Sequence, residues 1–76
     1  MAYAFVLVNT KLGQEKEVLE SLRANPAVRD AYEVYGVYDI ILKLEADSRK
    51  AFHQAVTVIR RATGVRSTLT MIVINE

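Results

Sequence analysis

VRDAYEVYGVYDIILKLE, residues 28–45, decides the fold. Val28 to Tyr35 is rich in β-branched and aromatic residues and reads as a strand, with Val28, Asp30, Tyr32 and Val34 on one face. Gly36 punctuates, and Val37 to Glu45 reads as a further strand. There Ile40, Leu42 and Leu44 point one way, and Asp39, Ile41, Lys43 and Glu45 the other. A separation this short admits no crossover, so the two strands form an antiparallel hairpin.

The flanks place that hairpin in the middle of a longer pattern. Upstream, Tyr3 to Asn9 reads as a strand that is apolar on both alternating faces. Thr10 to Gly13 turns, and QEKEVLESLRAN (residues 14–25) reads as a helix with Val18, Leu19 and Leu22 on one side. Its acidic residues come early and Arg23 late, as the helix dipole favours. Asn25-Pro26 ends it, because the residue before proline avoids the α region. Downstream, Asp47 or Ser48 offers an N-cap for a second helix. Phe52, Ala55, Val56 and Ile59 recur at helical spacing, Arg60 and Arg61 fill the last turn, and Gly64 stops it. Val65 to Asn75 reads as the last strand, where Leu69, Met71 and Val73 alternate with Thr68, Thr70, Ile72 and Ile74. The order β-α-β-β-α-β predicts an α+β, ferredoxin-like fold: a four-stranded antiparallel sheet with both helices on one face.

Helices on one face leave the other to be explained. The first and last strands are apolar on both faces, whereas a solvated second face would alternate cleanly with polar residues. The same face of a second copy is the simplest cover. Length agrees. The chain has 76 residues, enough for one domain over 1–76, and a domain this small is marginal alone. It has no cysteine, which excludes disulfides and thiolate metal sites, and a single histidine, so no metal site is expected. Net charge is +1 with the basic residues spread along the chain, so no nucleic-acid surface is expected. MAYAFVLVNT is neither a signal peptide nor a membrane span, which predicts a cytoplasmic protein without membrane contact.

Candidate chemistry is sparse. No glycine-rich phosphate loop and no nucleophile–base pair is visible, so no catalytic residue and no cofactor are assigned. His53 lies one step off the apolar stripe of the second helix and reads as a surface or boundary histidine. Asp39 could hold a ligand's polar groups or close a turn with its own side chain, and the residues alone favour neither. Three of the four tyrosines, Tyr32, Tyr35 and Tyr38, lie in or beside the hairpin, where they could wall a ligand or pack across strands. Arg60, Arg61 and Arg66 could bind a carboxylate or phosphate, or simply solvate a helix end. Thr68 and Thr70 could offer hydroxyls or serve as ordinary strand formers.

YGVYDIILKLEADSRKAFHQAV (residues 35–56) and IRRATGVRSTLTMIVI (residues 59–74) resemble the effector-binding (RAM) domain of the Lrp/AsnC family of transcriptional regulators. Gly36, Tyr38 and Asp39 run into an apolar strand, a helix ends in Ile59, and Gly64-Val65 leads into a strand bearing Thr68 and Thr70. VLESLRANPAVRDAYEVYG (residues 18–36) matches the family's rhythm as well. The chain opens at the first strand of that domain, so it resembles the stand-alone version, without the usual helix-turn-helix and without direct DNA binding. The resemblance implies a homodimer packed sheet to sheet, assembling into an octamer or similar ring. It also implies an amino-acid effector held between dimers near the hairpin loop, and it admits a full-length regulator of the family as partner. Carried to matching positions, the ligand site comprises Gly36, Tyr38, Asp39, Thr68 and Thr70, with Tyr35 and Ser67 as further candidates.

Two other readings stand beside this regulatory one. Ferredoxin-like dimers include small α/β-barrel enzymes of the cofactor-free monooxygenase or isomerase type, which would need His53 lining a pocket. A structural adaptor without any ligand is the other.

Overall fold

The computed structural model describes residues 2–74. The elements run β1 (Ala2–Thr10), α1 (Glu15–Arg23), β2 (Val28–Glu33), β3 (Ile40–Ala46), α2 (Arg49–Arg61) and β4 (Val65–Ile72). The strands form one antiparallel sheet in the order β2-β3-β1-β4. α1 packs along β2, and α2 over β3 and β4. This is the ferredoxin-like arrangement that the sequence predicts.

Local chemistry explains the helix ends. The Glu15 carboxylate accepts the Gly13 N–H at 3.1 Å and places negative charge at the α1 N-terminus. The Asn25 side chain accepts the Ala27 N–H at 2.9 Å, turning the chain as α1 ends before Pro26. Of the two N-cap candidates for α2, Ser48 serves: its hydroxyl oxygen accepts the Ala51 N–H at 3.1 Å. After α2, Gly64 takes φ +90°, and a Cβ there would lie 2.6 Å from Val18 Cγ2. That close approach draws the α2–β4 turn against α1.

The core lies between helices and sheet. Ala4, Val6 and Val8 of β1 and Ile40, Leu42 and Leu44 of β3 are fully buried against Val18, Leu19 and Leu22 of α1 and Phe52 and Ile59 of α2. Each large side chain in such a core contributes about 1.5–3 kcal/mol.

Three differences from the sequence reading bear on the site and the sheet. In β2 the register slips between Val28 and Asp30, so Arg29 leaves the ladder. Its Nε donates to Glu45 Oε2 at 2.7 Å instead. Beyond this bulge the faces exchange: Val28 pairs with Leu44 and Ala31 with Leu42, on the helix side, while Asp30 and Tyr32 oppose Lys43 and Ile41 on the other. Val28 and Asp30 therefore do not share a face, and Val34 lies outside the strand. Second, β2 ends at Glu33 and β3 begins at Ile40, so residues 34–39 form a broader loop than a tight hairpin. Third, β4 ends at Ile72, although the Val73 N–H still donates to the Tyr3 carbonyl at 3.0 Å. The expected strand end at Asn75 lies outside the described residues.

The face away from the helices carries Phe5 and Leu7 of β1, Ile41 of β3, and Leu69 and Met71 of β4, which the register places side by side. Leu69 is 45% and Met71 46% exposed. Lys43, with its Nζ 4.8 Å from the Tyr3 ring centroid, and the Arg29–Glu45 pair give this face a polar flank toward β2.

Candidate functional site

The loop-bearing end of the sheet gathers most of the polar chemistry. β1 finishes there at Thr10, which is only 6% exposed. Asp39 docks on it from the β2–β3 loop. Its Oδ2 accepts the Thr10 N–H at 2.9 Å and the Thr10 hydroxyl at 3.3 Å. The Asp39 N–H donates to the Val8 carbonyl at 3.0 Å, and its carbonyl accepts the Val34 N–H at 2.8 Å. One residue thus pins the whole 34–39 loop to β1.

β4 enters the same end through a bulge. Asn9 pairs with Ser67 but Thr10 pairs with Val65, which leaves Arg66 without a partner in the ladder. An extra residue of this kind re-aims its side chain relative to its neighbours. The Asn9 amide donates to Ser67 Oγ at 3.2 Å and ties the strands together beside it.

Two adjoining depressions result. A cleft of about 350 Å³ is lined by Asn9, Thr10, Asp39, Arg66 and Ser67. A wider open groove of about 560 Å³ runs between α2 and β4, lined by Val56, Arg60, Val65, Arg66, Ser67, Thr68 and Thr70. Arg66 and Ser67 form the ridge shared by both. Thr68 and Thr70 oppose Val8 and Val6 in the ladder, so they lie on the helix side of the sheet, where α2 leaves the edge strand partly uncovered.

Of the residues assigned to a ligand site, Asp39, Ser67, Thr68 and Thr70 come together around these depressions. Gly36, Tyr35 and Tyr38 do not line either one. Tyr35 projects fully into solvent and Tyr38 is half-buried on the loop. Gly36 has φ 158°, close to extended backbone, and nothing lies within 4 Å of a Cβ placed there. Asn9, Thr10, Val56 and Val65 are additions. Nothing in the local sequence distinguishes them, since their role arises from a β-bulge and from contacts between distant segments. Among the described residues, neither Arg60 nor Arg66 has a carboxylate partner, and no cluster of metal-ligating side chains forms. His53 stands exposed on α2 and lines neither depression; the Thr57 hydroxyl donates to its backbone carbonyl at 2.9 Å. The pocket histidine required by the enzymatic alternative is therefore not supplied by this residue.

Residues 3–76 match the family model of the Lrp/AsnC ligand binding domain. The chain belongs to that family. The Lrp/AsnC domain is 34% identical over 71 residues to the HTH-type transcriptional regulator FL11 of Pyrococcus horikoshii, covering 93% of this chain and 47% of the regulator. It thus spans about half the length of the curated regulators it matches. A 59-residue stretch, 78% of this chain, is 37% identical to a part making up 13% of the homocitrate synthase of Sulfurisphaera tokodaii. Among solved structures, the one described as FFRP-DM1 superposes with a TM-score of 0.93 at 47% identity, covering 97% of this chain and all of the other. The family is regulatory, and this domain shares its fold throughout.

Proposed function

We propose that residues 1–76 act as one effector-binding and oligomerisation domain that senses an amino acid and couples its occupancy to self-association. The observation that carries this reading is the uncovered apolar face formed by Phe5, Leu7, Ile41, Leu69 and Met71. A half-exposed core of this kind is completed when a second copy lays the same face against it. The dimer would assemble further, into an octamer or similar ring, with the effector held where the hairpin ends of neighbouring dimers meet. The ligand site comprises Asp39, Thr68, Thr70 and Ser67, with Gly36, Tyr35 and Tyr38 on the loop above it, where a neighbouring dimer would bring them over the clefts.

The mechanism is linkage. A ligand that binds only the assembled form favours it by RT ln(1 + [L]/Kd) per site, about 2.7 kcal/mol when the ligand is at 100 times its Kd. The output passes to whatever the assembly contacts in the cytoplasm. A full-length regulator of the family is one such partner. The kinship with a segment of homocitrate synthase supports an enzyme as another.

Calorimetric titration of the standard amino acids, with mass measured in parallel by light scattering, tests the proposal. One amino acid should bind and raise the average mass. A domain that oligomerises but binds none of them is a structural adaptor, and the sensing half of the reading then falls.

A further inference from the structure

The groove between α2 and β4 has a one-sided chemistry. Arg60 reaches it from the last turn of α2, and Arg66 from the bulge of β4. Ser67, Thr68 and Thr70 add hydroxyls, and Ser67 Oγ already accepts from Asn9, which leaves its own O–H to donate. No carboxylate lines the groove, and neither arginine is neutralised by an ion pair among the described residues. The α2 C-terminus carries the equivalent of about half a negative charge, which offsets only part of the positive charge of Arg60 and of Arg61 beside it. The nearest acid in the site, Asp39, lies in the adjoining cleft beyond the Arg66–Ser67 ridge, with Oδ2 already accepting from Thr10.

Resting on the amino-acid reading above, we infer that the preferred effector carries a carboxylate on its side chain: it is an acidic amino acid. Its side-chain carboxylate lies in the groove against the Arg60 guanidinium and the threonine hydroxyls, and its α-carboxylate meets Arg66 on the ridge. Its ammonium points over the ridge toward the cleft that holds Asp39. A neutral amino acid could meet one guanidinium with its α-carboxylate but would leave the other facing an uncharged side chain, forgoing the charge-assisted hydrogen bonds that a second carboxylate makes there.

The test compares glutamate, its neutral isostere glutamine, leucine, and glutarate, which keeps both carboxylates but lacks the ammonium. Titration calorimetry on the full chain should show glutamate binding at least about tenfold tighter than glutamine, with the advantage shrinking as salt rises. Arg60→Gln should remove about tenfold of the glutamate affinity and leave glutamine unaffected, whereas Arg66→Gln should weaken both about tenfold. Arg61→Gln, outside the groove, should change nothing. All three residues are exposed, so the variants should melt like the parent. Glutamine or leucine binding as tightly as glutamate overturns the inference and leaves the amino-acid reading standing. Arginine-dependent binding of glutarate alone, with no amino acid bound, keeps the anion site and removes the amino-acid effector. Silence from all four ligands and from aspartate overturns the inference, and the titration of the remaining amino acids then decides the amino-acid reading.

Discussion

Replacing Asp39 by Ala removes the acceptor that holds the hairpin loop to β1. Its Oδ2 accepts the Thr10 N–H at 2.9 Å and the Thr10 hydroxyl at 3.3 Å, and Thr10 is 6% exposed. Water therefore has poor access to replace the lost carboxylate. A hydrogen bond to a charged group contributes about 1.5–3 kcal/mol, and a buried donor left unsatisfied costs about 1–3 kcal/mol. These describe the same loss from two sides and are not added, so the expected destabilisation is about 2 kcal/mol. For a domain of this size that lowers Tm by about 8–16 °C. In urea the midpoint should fall by about 1 M with an unchanged slope. Asp39→Asn keeps a neutral oxygen acceptor and should lose only about half as much. Melts must be compared at one protomer concentration, because association raises apparent stability. An Asp39→Ala variant within about 0.5 kcal/mol of the parent, the range of ordinary surface substitutions, would refute the pinning role.

Two further substitutions test the packing. Leu69→Asp puts a carboxylate on the open sheet face, where the parent side chain is 45% exposed; it should dissociate the assembly in sedimentation velocity while circular dichroism shows a folded protomer. Gly64→Ala combines a backbone at φ +90° with a new methyl 2.6 Å from Val18 Cγ2 and 2.7 Å from Gln14 Oε1; chemical denaturation should show a loss of about 2–4 kcal/mol.

The parts of this fold that were legible in the sequence are those that periodicity encodes. Val18, Leu19 and Leu22 and then Phe52, Ala55 and Ile59 repeat at helical spacing, and they are the buried faces of α1 and α2. Ile40, Leu42 and Leu44 alternate and are buried on one side of β3. What could not be read depends on one-residue events. The Arg29 bulge exchanges the faces of β2, and the Arg66 bulge sets an arginine between two clefts; a residue that leaves a ladder has no mark in a pattern of apolar and polar letters. The sequence left Asp39 open between turn and ligand because its partner, Thr10, is 29 positions away. The ligand residues expected on the loop and on β4 separate for a related reason: Gly36, Tyr35 and Tyr38 are near Asp39 in the chain, yet of these four only Asp39 lines a cleft.

The account stands or falls on whether the open face of the sheet is an interface whose occupancy responds to ligand. Sedimentation equilibrium of the purified chain across a range of protomer concentrations, repeated with the amino acid that calorimetry identifies, tests this directly. The account predicts a dimer or larger species at micromolar concentration and a further rise in average mass when ligand is added, both lost in Leu69→Asp. A well-folded monomer that stays monomeric at every concentration, with and without ligand, would contradict it.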